Sequence, residues 1–193
     1  MTPRRLTAAL AALVAFSLTA AAAPVSYALQ ADRSVVAFET DYGDQGLKIR
    51  GRMPVLKADL VLDFDAVANS SVTVSVDAAG STTSNPLATE AMLGRTVLDT
   101  RAYPTIDFQS TGVRRNGDGA KVTGNLTVRG VTRPVTFDAV IYRQKGTEAG
   151  DRSNLSILLT GAISRSAFGA SGFADLVGDE VRLRILARIT RAD

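Results

Sequence analysis

Three groups of side chains in this 193-residue chain have types and spacings that could do chemistry. Asp63 and Asp65 are alternate residues and share a face of an extended segment. A pair of carboxylates is what acid–base glycoside hydrolysis requires. Ser164 and Ser166 precede Asp175, Asp179 and Glu180, raw material for nucleophilic catalysis. Arg129 and Arg165 carry guanidinium donors of the kind that pair with a phosphate or carboxylate. What is missing weighs more. The chain contains no His and no Cys, which excludes Ser–His–Asp and Cys–His catalysis and the usual zinc sites. No base stands at a recognisable spacing from either Ser, and Asp63 with Asp65 also fits ordinary turn chemistry. No catalytic residue, metal ligand or cofactor is therefore assigned. The chain is read as not an enzyme, with a hydrolase as the remaining catalytic alternative.

The first residues belong to export rather than to the fold. Arg4 and Arg5 precede an Ala- and Leu-rich run, Leu6 to Ala23, that ends in small residues. This is the pattern of a signal peptide over residues 1–23, cleaved after Ala22 or Ala23, with Ser26-Tyr27-Ala28 as a second choice. One domain, residues 24–193, follows. Without a Cys it can be neither a lipoprotein nor disulfide-bonded, so a packed fold must hold it in the periplasm or outside the cell. The chain has 22 basic and 19 acidic side chains. Removing Arg4 and Arg5 leaves 20 against 19, and no basic block with interleaved aromatics remains to suggest nucleic acid.

The elements that must position these residues read as strands. Period-2 alternation recurs near 34–42, 47–53, 57–64, 71–77, 105–113, 120–128, 134–142, 155–164 and 181–190, each with one buried and one wet face. Val72, Val74 and Val76 share a face. So do Val181, Leu183, Ile185, Ala187 and Ile189, with Arg182, Arg184 and Arg188 opposite. Asn116-Gly117-Asp118-Gly119 reads as a hairpin turn. One stretch, Asn85 to Tyr103, breaks the pattern: Asn85 can cap a short helix that begins at Pro86 and stops at Gly94. Leu87, Ala91 and Leu98 are expected to face the sheet. The fold class is all-β: an antiparallel barrel or sandwich with one short helix, the barrel leaving no open edge.

The segment GNLTVRGVTRPVTF, Gly124 to Phe137, is the most specific. It places two β-type alternations around Arg129-Gly130, with Pro134 in the second. It resembles a signature of the YceI-like family. So, in order, do YALQADRSVVAF (Tyr27 to Phe38), LVLDF with SVTVSVD (Leu60 to Phe64, Ser71 to Asp77), AYPTIDFQSTGV (Ala102 to Val113), ISRSAFG (Ile163 to Gly169) and VGDEVRLRI (Val177 to Ile185). The chain departs from the family in lacking His and in its divergent Asn85 to Tyr103 stretch, which lies near the ligand entrance in the family.

The resemblance implies an eight-stranded lipocalin-like barrel that holds a polyisoprenoid, a quinone or a fatty-acid-like chain. An eight-stranded barrel is just wide enough to be filled by side chains or to hold one slender ligand. The cavity candidates are Phe38, Leu60, Leu62, Val74, Phe108, Leu126, Phe137, Ile157 and Ile185, with Leu87, Met92 and Leu93 near the opening. Arg129 and Arg165 are the head-group candidates; each could instead fix a turn through loop carbonyls. The Arg182, Arg184, Arg188 stripe reads as a solvated outer face, or more sharply as peripheral contact with an anionic membrane. The family also implies homodimers, with no residue here fixing an interface. The expected function is transport, storage or an envelope stress response. The alternative is a filled barrel serving as an accessory of an envelope complex.

Overall fold

A computed structural model describes residues 23–143, 146–148 and 150–192. The expected leader lies outside these residues except for Ala23. The strands are β1 (Val25–Leu29), β2 (Val35–Tyr42), β3 (Leu47–Met53), β4 (Val55–Leu62), β5 (Ser71–Asp77), β6 (Thr82–Thr83), β7 (Thr105–Asn116), β8 (Gly119–Val128), β9 (Val131–Arg143), β10 (Asn154–Ser164) and β11 (Val177–Arg191). The helix α1 spans Pro86–Leu93.

All neighbours pair antiparallel, and the ladder closes. The long β11 pairs with β10 along one edge. It shares its other edge between β2, from Val177 to Leu186, and β1, from Ile189 to Arg191. β1 and β2 are thus one wall strand broken by the turn at Ala31–Arg33. β3 and β4 are another, broken at Pro54, which has no N–H to give the ladder. Counted this way, eight wall strands close a barrel in which each is paired on both sides over part or all of its length. The two-residue β6 adds to β3 beside the helix.

The periodicity locates β3 and β5 to the residue and most other strands to within a few. It misses β6. It also misses β1, which is only five residues long and is set apart from β2 by the turn at Ala31–Arg33. At the β8–β9 turn, Val128 pairs with Val131, and Arg129 and Gly130 have φ of 53° and 72°. Two successive positive φ values are what a type I′ hairpin needs. Pro134 pairs with Asn125 of β8, and β9 pairs with β10 only from Asp138 onward. The missing N–H of Pro134 therefore costs no ladder bond.

The two ends differ. At the floor, Tyr27, Leu60, Leu62, Leu155 and Ile189 form a packed cluster. Burying a side chain as fully as Ile189 contributes roughly 2–3 kcal/mol. The mouth carries the β2–β3 turn, the segment 78–104 with α1, the β8–β9 turn and the loop 165–176. The Asn85 side chain accepts from Leu87 N (2.9 Å) and Ala88 N (3.4 Å), and Pro86 opens the helix. Beneath it Leu98, Leu126, Val128 and Phe168 pack together. Leu98 is buried as expected. Leu87, expected to face the sheet, stands 76% exposed at the rim, because the first turn of α1 projects beyond the wall.

Between the ends, three inward rings lie over glycines of a neighbouring strand. An added Cβ at Gly51 would collide with the ring of Phe38, and one at Gly124 with the ring of Phe108. At Gly161 it would meet Phe137 Cδ1 at 2.7 Å. The rings of Phe108 and Phe137 also meet edge to face at 5.6 Å. Gly124→Ala would press on Phe108 and on Gln109 O at 2.5 Å, and is expected to lower unfolding stability in urea by about 1–3 kcal/mol. Gly112→Ala meets only Thr123 Oγ1, at 3.4 Å, and should leave the midpoint nearly unchanged. Equal losses from the two variants would contradict the ring-over-glycine account.

Candidate functional site: an apolar cavity open at one end

The alternation that buries one face of each strand leaves the interior lined by apolar side chains, yet not filled by them. A cavity of about 820 Å³ runs inside the barrel. Val72, Val74 and Val76 line it from β5, Phe108 from β7, Leu126 from β8 and Phe137 from β9. Ile157, Ile185, Phe38, Leu60 and Leu62 complete the wall, with Leu87 and Met92 of α1 at the opening. Leu93 is not on the lining. It ends the helix, and its carbonyl accepts from Thr100 N (3.1 Å) and Thr100 Oγ1 (3.2 Å).

Sequence reasoning missed the lining from the connections. Val97, Phe173 and Leu176 reach the cavity from loops, and Tyr42 and Leu47 from the ends of the β2–β3 hairpin. Loop residues carry no period. The one available signal was their size and apolarity in segments otherwise made of small and polar residues.

Three charged side chains are on the lining, each with protein partners: Lys48, at the mouth, pairs with Glu39 (3.3 Å) and Asp41 (3.1 Å), and the other two, Asp63 and Arg165, are buried. Asp63 Oδ1 accepts from Asp65 N (3.0 Å) and Ala66 N (2.7 Å), and Oδ2 from Asn69 Nδ2 (3.0 Å). These bonds, the one from Ala66 foremost, hold its carboxyl below the usual Asp range. Arg165 is buried. Its Nε donates to Gly178 O (3.0 Å), Nη1 to Gly172 O (2.8 Å) and to Ala170 O, and Nη2 to Val177 O (2.8 Å). It is a clamp on the loop before β11 rather than an unoccupied anion site. Arg129, the other head-group candidate, is off the lining and donates to Gly169 O. Thr40 Oγ1, also on the lining, donates to Gly178 O (3.0 Å).

The groups that could have done catalysis are spread over turns. Asp63 and Asp65 do not act as a pair, because Asp65 goes to Arg152 at 3.2 Å. Ser164, Ser166 and Asp179 do meet: the two hydroxyls are 3.1 Å apart, and Asp179 Oδ1 accepts from Ser166 N at 2.9 Å. The Ser164 hydroxyl and the Ser166 N–H hold Asp179 below the usual Asp range, which makes it a poor base. Asp175 has no part in this group. Among the described residues no cluster of acidic side chains could hold a metal ion. On the outer wall Arg182 bonds Glu39, Asp41 and Glu180, and these carboxylates raise its pKa further.

Two predictions follow from the interior charges. A carboxylate with a depressed folded pKa stabilises the fold above the ordinary Asp range, and that contribution is lost as pH falls through the folded value. Asp63→Asn should lower stability at pH 7. It should also flatten the loss between about pH 5 and 3, leaving the slope due to Glu39, Asp41, Asp151 and Asp179, which are also depressed. Urea titrations at the two pH values read both effects; an unchanged slope contradicts the assignment. Arg165→Lys cannot reach four carbonyls at once. It should cost about 2–4 kcal/mol of unfolding stability, whereas a free anion-binding Arg would cost little.

The sequence profile of the YceI-like domain matches residues 27–189. Over 71 residues the chain is 41% identical to a UPF0312 protein of Yersinia pestis (strain Pestoides F), covering 34% of this chain and 37% of that one. Over 47 residues it is 51% identical to a UPF0312 protein of Pseudomonas aeruginosa (strain LESB58), covering 24% and 25%. The matched part thus spans well under two thirds of these relatives. Among solved structures, Burkholderia cenocepacia BcnA superposes with a TM-score of 0.73 at 20% identity, over 83% of this chain and 99% of that one. The Campylobacter jejuni YCEI protein gives 0.58 at 22%, over 73% and 84%. At such identities the likeness is one of fold, a closed antiparallel barrel. The profile reaches from the core tyrosine of β1 to the buried isoleucine of β11, and the chain belongs to the YceI-like family.

Proposed function

We propose that this chain is an exported binding protein that holds one long apolar amphiphile inside its barrel. The polyisoprenoid, quinone and fatty-acid classes all suit such a site. The observation that carries the reading is the apolar cavity of about 820 Å³, within the range of about 300–1,000 Å³ typical of small-molecule sites. Each CH₂ taken from water contributes about 0.8 kcal/mol, so a chain of many carbons binds without polar contacts. The interior charges, Asp63 and Arg165, are satisfied by the protein and offer a polar ligand nothing. The amphiphile's head belongs at the mouth, where Ser84 and Asn85 are on the lining.

Export fits the same picture. Cleavage after Ala22 or Ala23 leaves β1 whole. Cleavage after Ala28 would remove Val25, Ser26 and Tyr27, which pair with β4, and the Tyr27 and Ala28 pairings with β11. The pairings of β1 support the earlier site. The periplasm or the cell exterior is the proposed location, and transport, storage or envelope protection the proposed role. The cavity favours the binding reading over the filled-barrel alternative, which needs a packed interior.

Organic extraction of the purified protein followed by mass spectrometry tests the reading. A co-purifying long-chain amphiphile, up to one per chain, is expected. A clean extract, with no prenyl or fatty chain taken up on addition, would sink it. Val74→Phe places added bulk in the cavity and should weaken uptake about tenfold, the equivalent of roughly two lost CH₂ contacts, with the fold retained.

A further inference from the structure

We infer that the mouth of the barrel is a docking surface for a zwitterionic lipid bilayer, an inference that rests on the lipid-binding reading above. Ten large apolar side chains are exposed among the described residues. Six of them belong to segments at the mouth; Tyr103 lies against Gly130 and is off the lining, and the other five form the rim. Tyr42 and Leu47 flank the β2–β3 turn, Leu87 lies in the first turn of α1, and Phe173 and Leu176 belong to the loop before β11. All five also line the cavity, so the apolar rim is continuous with the apolar interior.

The rim is held in place. Gly43 N donates to Leu176 O at 2.8 Å, tying the hairpin tip to the neighbouring loop. The Arg165 clamp fixes that loop at Ala170, Gly172 and Val177. Within it Phe173 has a φ of 59°, a left-handed conformation that a bulky side chain adopts only at a cost. Its ring is nonetheless half exposed at the opening, with no core position to repay that cost.

Area and charge select the occupant. From their exposures, the five side chains present on the order of 500 Å². A stable protein partner buries about 800 Å² on each side, and these tips ring a hole instead of forming a face. The segments at this end, 41–52, 84–104, 128–131 and 165–180, carry seven basic and seven acidic residues. That balance offers no attraction to an anionic surface. Apolar and aromatic tips with no net charge match the interface of a zwitterionic membrane. Seated mouth-down, the cavity would open onto the hydrocarbon from which an amphiphile must come.

The chain has no Trp, so Phe173→Trp creates a single reporter, with Leu87→Trp as a second should the strained loop reject the larger ring. With phosphatidylcholine vesicles its emission should shift to the blue and be quenched by brominated acyl chains, at low and high salt alike. Tyr142→Trp, on β9 at the floor end, should not respond. Leu47→Ser combined with Leu87→Asp should lower vesicle partition about tenfold with the far-UV circular dichroism unchanged. Uptake of a long-chain fatty acid, kept monomeric below its critical micelle concentration, by the unmodified protein without vesicles is measured in parallel. Uptake with no vesicle response in either reporter overturns the docking inference and leaves the binding reading standing. A vesicle response without uptake upholds docking and removes the binding reading. Partition only onto anionic vesicles, abolished by salt, overturns the inference in favour of a basic surface.

Discussion

The rings of Phe38, Phe108 and Phe137, laid over Gly51, Gly124 and Gly161, are the contacts on which the hollow interior depends. An inward phenyl in an eight-stranded barrel would ordinarily stand across the lumen and help to fill it. Removing the Cβ of a neighbour on the next strand lets the ring lie against the wall. The glycines weaken their strands by the loss of a side chain to pack, and the rings offset this by covering the bare backbone. The wall stays apolar and thin, and the space along the axis stays open.

A hollow barrel gives up the packing that stabilises an ordinary core, so its stability must lie elsewhere. Here it lies in a ladder that closes on itself and in the two ends. β11 serves three partners: it pairs with β10 over eleven residues, the longest ladder among the described residues, and closes the barrel against β2 and β1 on its other edge. The floor is sealed by Tyr27, Leu60, Leu62, Leu155 and Ile189, with Phe64 edge-on to Tyr27 at 6.0 Å and beneath the Arg152 guanidinium. The mouth cannot be sealed in this way. It is shaped by backbone fixed through side chains: Asn85 at the start of α1 and Arg165 across the loop before β11. Both of the buried charges that border the cavity are likewise taken up by protein partners, which is why an apolar interior and charged lining residues coexist.

Much of this is legible in the residues. Alternation locates the wall strands because one face is buried and the other wet. Asn85-Pro86 and Gly94 bound the helix because capping chemistry is local. The Arg129-Gly130 turn is visible as a turn, but the positive φ of Arg129 is imposed by the hairpin twist and not by Arg itself. Less legible is whatever depends on partners distant in sequence. The division of the first strand at Ala31–Arg33 follows from β11 changing neighbours. The burial of Arg165 follows from a loop folding back over it. Nothing in the sequence around Leu87 says that its turn of helix overhangs the wall. Mid-strand glycines are a usable signal of close backbone approach, and at Gly51, Gly124 and Gly161 they mark the ring contacts.

Under the proposed function, affinity and selectivity are separated along the barrel axis. The interior is hydrocarbon facing hydrocarbon, and its contribution grows with the number of carbons buried whatever their source. It can distinguish chain length and thickness but hardly one head from another. Polar discrimination requires unsatisfied donors or acceptors held in place, and the interior charges have been turned inward to the backbone. Whatever selects among amphiphiles must act where the chain enters, among the residues of segment 78–104, the β2–β3 turn and the loop clamped by Arg165. These are also the segments with the least regular structure. On that proposal the barrel keeps its wall unchanged while the mouth sets which amphiphile is admitted.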